Sequence, residues 1–304
     1  MSITHPGRLD CFHNPLADSQ LAYGAARQNI LSVARAKNAL STISSWPNYQ
    51  ATALQQLDTM AEAANIAKVY YKDESTRFGL KSFKALGGAY AVTRFLQQHL
   101  AQVNGVEPTM EELLSGQFKA QLKDVVVSCA TDGNHGRSVA WGAQMFGCQC
   151  IIYIHRDVSQ GRQAAMEAYA AQVIRITGNY DDSVKQAASD AKQYGRVIIS
   201  DTSYPGYTEI PANVALGYTV MLAEIVQQLQ ADVPTHVFVQ AGVGGLAAAV
   251  CGYFWDLWGQ QRPRFVIVEP EQANCLQESA KAGELREVEG DLDTLMAGLA
   301  CGEV

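Results

Sequence analysis

Val125-Val126-Val127-Ser128-Cys129-Ala130-Thr131-Asp132-Gly133-Asn134-His135-Gly136 is the stretch whose reading decides the fold class. An apolar run ends in a glycine-flanked polar turn, and a helical pattern over 133–146 follows. A run without polar alternation suits a strand covered on both faces. The same grammar recurs at His236-Val237-Phe238-Val239-Gln240, followed by Ala241-Gly242-Val243-Gly244-Gly245 and an apolar helical pattern over 246–258. Outward from these two, further strand candidates lie at 68–71, 150–154, 173–176, 197–200 and 265–268. Helical patterns at 82–100, 162–170, 182–194 and 211–228 fall between them. The alternation implies an α/β chain with mostly parallel sheets joined by crossover helices.

With 304 residues, 48% of them apolar and 17% charged, the chain has the size and balance of a two-domain globular protein. Its net charge of -7 excludes the basic footprint of a nucleic-acid binder. No basic stretch followed by an apolar core opens the chain, so a cytoplasmic location without a secretory leader is expected. The apolar run 237–258 is interrupted by Gln240, Gly242, Gly244, Gly245 and Gly252. It reads as strand, turn and buried helix, not as a membrane span. Seven cysteines stand at irregular spacing, and Cys148 and Cys150 lack a second pair at zinc-ligand distance, so no metal centre is expected. Reduced, buried thiols are the default; whether Cys275 and Cys301 pair is left open by the sequence. The first 65 residues, with Pro6, Pro15 and Pro47, are less regular and are expected to wrap the outside. The polar stretch 102–116, with Gly105 and Pro108, marks a surface excursion.

Three segments carry chemistry. The first is Lys72-Asp73-Glu74-Ser75-Thr76-Arg77-Phe78-Gly79-Leu80-Lys81-Ser82-Phe83-Lys84, a strand end, a loop and a helix capped by Ser82. Lys84 then stands in the first helical turn, where the helix dipole favours anions. An exposed, solvated lysine is the bland reading; a Schiff-base lysine with an accessible neutral amine is the sharp one. The second is the 128–136 turn, whose glycines let the backbone approach a ligand closely. There Asp132 alone reads equally well as a helix N-cap, and His135 alone reads as a packed core histidine. The third is 240–246, where Gly242, Gly244 and Gly245 can form an amide cradle for phosphate at a helix N-terminus. It matches neither the dinucleotide fingerprint nor a phosphate loop ending in Gly-Lys-Ser/Thr.

Taken together, the lysine, the Asn in its glycine-flanked turn and the glycine cradle resemble the fold type II (tryptophan synthase β-like) family of pyridoxal-phosphate enzymes. The resemblance covers about 47–304. Within that family, Thr131-Asp132-Gly133-Asn134-His135-Gly136, Asp201-Thr202, the run 206–211 and the closing 296–303 resemble the diaminopropionate ammonia-lyases. The family implies two α/β domains, with residues 1–86 and 213–304 in a large cofactor domain and 87–212 in a smaller one. It implies pyridoxal 5'-phosphate held on Lys84, with Asn134 at the ring hydroxyl and the amides of Gly242, Val243, Gly244 and Gly245 at the phosphate. The implied reaction is α,β-elimination of ammonia from 2,3-diaminopropionate, giving pyruvate and a second ammonia.

Both enantiomers of that substrate are accepted in the group, so two bases on opposite faces are implied: freed Lys84, and Asp132 where the general family has Ser. Asp201 is expected to bind the substrate amino group or to orient a neighbour, against the bland reading of a turn aspartate. Asp73, Glu74 and Arg77 are expected to support the Lys84 loop; Tyr180 and Tyr207 read either as lining of the substrate pocket or, more commonly for such tyrosines, as packing. A homodimer is implied, with no nucleic-acid or membrane partner. Members of the family continue for roughly a hundred residues past Ala300-Cys301-Gly302-Glu303, so a C-terminally truncated large domain, with an unpaired sheet edge, is expected. Two other readings stay open: a serine or threonine dehydratase, which Asp132 disfavours, and a non-catalytic remnant.

Overall fold

The computed structural model describes residues 9–304, so the reading of Pro6 lies outside the described residues. Strands β1 (Leu54–Gln56) and β2 (Tyr70–Lys72) form an antiparallel ribbon. Four parallel strands, β3 (Val126–Ala130), β4 (Gln149–Ile154), β5 (Gln172–Arg175) and β6 (Val197–Ile198), form a sheet in the order 5-4-3-6. Strands β7 (His236–Gln240) and β8 (Arg264–Val268) make a parallel pair. The α/β architecture implied by the alternation is therefore present, with one correction. The strand expected at 68–71 is shifted to 70–72 and pairs with a strand the sequence did not announce. Leu54-Gln55-Gln56 is too short and polar to give an alternating signal.

Strand β4 shows why the apolar runs are unbroken. Cys150, Ile152 and Ile154 face the main core, while Ile151 and Tyr153 face a second cluster that includes Ala187. The helix Asn134–Phe146 covers one face of this sheet and Tyr180–Tyr194 the other. From β3 the chain steps outward through β4 to β5, then returns across the sheet to place β6 on the other side of β3. Direction therefore reverses between β3 and β6. In open parallel sheets, the carboxyl ends of strands at such a reversal bound a crevice where ligands sit.

Three helices meet over that crevice: Lys84–Asn104 packs against both Asn134–Phe146 and Glu209–Leu229. Their approach depends on missing side chains. A Cβ on Gly217 would stand 2.4 Å from the Leu86 carbonyl oxygen, and one on Gly87 would stand 2.4 Å from the Tyr218 ring. The helix Val33–Ser44 also joins this core, burying Ala36, Ala39 and Ile43 against Glu209–Leu229. The opening residues thus do more than wrap the outside: apolar positions three and four apart put one helical face inward. Among the described residues, Glu209–Leu229 is the one helix long and apolar enough to cross a bilayer, and most of it is buried within the protein.

The loop before Lys84 is fixed to the same helix by charge. Arg77, 1% exposed, donates to both carboxylate oxygens of Glu224 at 2.7 Å and to both oxygens of Glu74 at 2.7 and 2.8 Å. Lys72 reaches Glu224 at 2.8 Å, and the Tyr49 hydroxyl donates to it at 2.9 Å. Glu74 and Arg77 therefore support the loop as expected, whereas Asp73 stands apart and accepts from the Ser75 amide. Burial would raise the Glu224 carboxyl, but Arg77 and Lys72 together hold it below its ordinary value. Removing one member of such a cluster leaves buried charge uncompensated. Glu224→Ala is expected to lower unfolding free energy by about 3–5 kcal/mol in urea titration; a loss below about 1 kcal/mol, the level of an exposed pair, would refute the anchoring role.

Candidate active site

The carboxyl ends of β3 and β6 deliver two loops to one place. After β3 come Thr131, Asp132, Gly133 and Asn134; after β6 come Ile199, Ser200 and Asp201. Lys84 arrives from above as the first residue of its helix, with its amide donating to the Ser82 hydroxyl at 3.2 Å. Its Nζ lies 2.5 Å from Asp201 Oδ2, with the two side chains 25% and 16% exposed. A cation at a helix start, unfavourable by dipole alone, is thus matched by a carboxylate from a distant loop. Burial would lower the lysine, yet the Asp201 charge outweighs it and holds the ammonium well above its ordinary range. For Asp201, burial works upward while His135 and Lys84 pull it well below the usual carboxylate range.

The glycine turn closes the third side. Gly244 adopts φ +84, and the helix Gly245–Trp258 starts one residue later, so its first amides have no acceptor within the helix. The Cβ position of Gly245 lies 3.6 Å from the Asp201 carbonyl oxygen, which sets the turn beside the lysine–aspartate pair. A Cβ on Gly242 would stand 3.1 Å from Cys301 Sγ and 3.3 Å from the Gly298 carbonyl oxygen. Cys275 and Cys301 are both free thiols, and both lie against Gly242. Burial, then the charge of Asp201, pushes the Cys301 thiol up to about 11. An amine paired with a carboxylate, beside a glycine turn at a helix start, fits an aldehyde that carries a phosphate.

Asp132 does not cap the helix; Gly133 occupies that position, at φ 157. Its carboxylate instead lies 3.0 Å from His155 Nε2 and is 41% exposed. Burial, then the charges of Asp201 and Asp132, raises the Tyr180 phenol. Asn134 is exposed and lines a depression with Gly133, Arg137, Ser159 and Arg162. Tyr207 is structural, its hydroxyl accepting from the Ser200 amide at 2.9 Å and donating to the Ile198 carbonyl at 2.8 Å. It braces the turn that carries Asp201. His135, read from sequence as core packing, lies at the centre: it is 6% exposed, with Nε2 2.7 Å from the Ile199 carbonyl and Nδ1 3.8 Å from Asp201. Its glycine-flanked position beside Asn134 was the available signal.

The sequence profile of the family described as "Pyridoxal-phosphate dependent enzyme" matches residues 46–304. The chain is 40% identical over 263 residues to a diaminopropionate ammonia-lyase of Salmonella typhimurium, covering 84% of this chain and 65% of that one. It is 38% identical over 292 residues to the diaminopropionate ammonia-lyase of Escherichia coli K12, covering 95% and 71%. The crystal structure of the E. coli enzyme with an aminoacrylate–pyridoxal-phosphate azomethine intermediate superposes with a TM-score of 0.77 at 37% identity, over 90% of this chain and 67% of that one.

The depressed Asp201 carboxyl has a consequence for stability. A group that holds its proton less tightly when folded contributes stability above the unfolded carboxylate range, and that contribution is lost as pH falls toward the folded value. Asp201→Asn is therefore expected to be less stable than the parent near neutrality and to lose less stability on acidification. Urea unfolding from pH 7 to pH 3 measures this; parallel curves for the two proteins would contradict it.

Proposed function

The chain belongs to the pyridoxal-phosphate dependent enzyme family and, within it, to the diaminopropionate ammonia-lyases, and on that premise we propose that it eliminates ammonia from 2,3-diaminopropionate. With one water consumed, the products are pyruvate and two ammonia. The observation that carries this reading is the Lys84 amine at its helix start, paired with Asp201, whose carbonyl oxygen lies 3.6 Å from the Cβ position of Gly245. The cofactor, when bound, supplies an aldehyde for that amine and a ring that draws electrons from the substrate Cα. The amides of Gly242, Val243, Gly244 and Gly245 would hold its phosphate at the positive end of the helix, and Asn134 would take its ring hydroxyl.

With cofactor and substrate bound, the Lys84 amine, withdrawn from Asp201, would take the Cα proton on one face. Asp132 takes it on the other, its carboxylate oriented by His155 at 3.0 Å. Asp201, left by Lys84, receives the substrate ammonium in its place. A carboxylate at 132 separates this reading from a serine or threonine dehydratase of the same fold. The location and assembly that accompany the proposal are cytoplasmic and homodimeric.

Pyruvate release from each enantiomer of diaminopropionate, with serine and threonine as controls, tests the reading. Asp132→Asn is expected to slow one enantiomer by about a hundredfold or more and the other by a few-fold, since a general base contributes factors of about 10²–10⁴. Lys84→Ala is expected to abolish both and to lose the visible absorbance of bound cofactor. Equal loss for the two enantiomers in Asp132→Asn would remove the two-base assignment. Absence of turnover with cofactor fixed on Lys84 by borohydride would favour a binding remnant.

A further inference from the structure

His135 is a buried polar side chain beside Asp201 that the proposed reaction leaves without a task. A carbonyl oxygen only accepts, so the 2.7 Å contact with Ile199 places a hydrogen on Nε2. That leaves Nδ1 to face the carboxylate of Asp201 at 3.8 Å, and among the described residues this buried nitrogen has no hydrogen-bond partner. A neutral ring would direct a lone pair at a carboxylate. A protonated ring would direct N–H at it instead.

Asp201 Oδ2 is thus approached by two nitrogens, Lys84 Nζ at 2.5 Å and His135 Nδ1 at 3.8 Å. Lys84 must shed a proton before its nitrogen can bond to an aldehyde carbon. Were that proton lost to solvent, Asp201 would be left as an uncompensated charge in a largely buried site, which is costly. We infer that His135 is a positioning residue that takes up the proton released by Lys84 across Asp201 and so keeps the buried carboxylate ionised while the lysine is engaged. The inference deepens the lyase reading and rests on it. In the step, one N–H bond breaks at Nζ and one forms at Nδ1. The lysine becomes neutral, the histidine becomes cationic, and the sum over Lys84, Asp201 and His135 is unchanged.

The other groups facing Asp201 are poor recipients for that proton or unable to exchange it near neutrality. Burial raises the Tyr180 and Tyr207 phenols and the Cys129 thiol. Burial also pushes Tyr218, from the Glu209–Leu229 helix, up to about 12, and Cys301 stands at about 11. Asp132 is engaged by His155. The ring of His135 has an unpartnered nitrogen aimed at Asp201 and can accept a proton there.

The test is nitrogen-edited NMR of the histidine rings in cofactor-free protein, with His135 assigned by the signal lost in His135→Gln. Two substitutions should move the ring in opposite directions. Lys84→Ala removes the competing cation, and the ring should retain its proton to a pH higher by about one unit or more. Asp201→Asn removes the shared anion, and the ring should release its proton earlier by a similar amount; Asp201→Ser serves if the asparagine variant fails to fold. A ring titration unmoved in both overturns the inference. Because no turnover is involved, that result stands apart from any failure of the lyase assay. With cofactor and diaminopropionate, His135→Gln keeps a donor for the Ile199 carbonyl but cannot take a proton. It should lower kcat about tenfold or more with KM little changed, and lose the alkaline limb of the pH profile. A change confined to KM, with the profile intact, would equally overturn it.

Discussion

Everything about the Lys84 loop follows from one buried guanidinium. Arg77 has no route to water, so its donors must be met inside the protein, and they are met by Glu74 from its own loop and by Glu224 from the Glu209–Leu229 helix. Glu224 in turn holds Lys72 at the end of β2 and the hydroxyl of Tyr49. A strand end, a short loop and a core helix are thereby fixed to one another before packing is considered. Phe78 and Lys81 take left-handed backbone angles of 49° and 56° inside that loop, a local cost that the surrounding contacts must outweigh. The lysine that follows enters its helix from a rigid platform.

That platform works together with close helix packing. Tyr218 and Gly217, nearly two helical turns before Glu224, lie directly against Gly87 and Leu86. The same helix therefore grips the Lys84 segment twice, once through charge at the loop and once through backbone contact at the first turns. The result is that Nζ is aimed at the crevice between β3 and β6 with little freedom to turn away. Preorganisation of this kind is what lets a half-buried amine meet its partner at 2.5 Å.

Local grammar made much of this readable. Lys84, Asn134 and the Gly242–Gly245 turn announce themselves through glycine placement and strand-to-helix transitions, and the parallel sheet through unbroken apolar runs. What the sequence withheld is relational. Asp201 was visible as an acidic candidate, but its pairing with Lys84, 117 residues away, depends on β6 returning to lie beside β3. His135 looked like packing because nothing local says that Nδ1 faces a carboxylate. Glu224 went unremarked although it is a lone acid among Met221, Leu222, Ala223 and Ile225, a setting in which a carboxylate requires a buried cation. The ribbon of β1 and β2 escaped because three residues carry too little periodicity.

The return of β6 also sets a timetable. At translation rates of about 5–20 residues per second, roughly 6 to 23 s separate the emergence of Lys84 from that of Asp201 at the ribosome. Glu224 follows, and the glycine turn follows that, so each partner of the lysine segment is synthesised after it. During this interval the amine is a nascent-chain lysine like any other, solvated and unoriented. Capture of an aldehyde in a defined pose is therefore a post-synthetic event, gated by the closing of long sequence loops. The crevice between two adjacent strand ends thus ties the birth of the site to the slowest, most non-local contacts of folding.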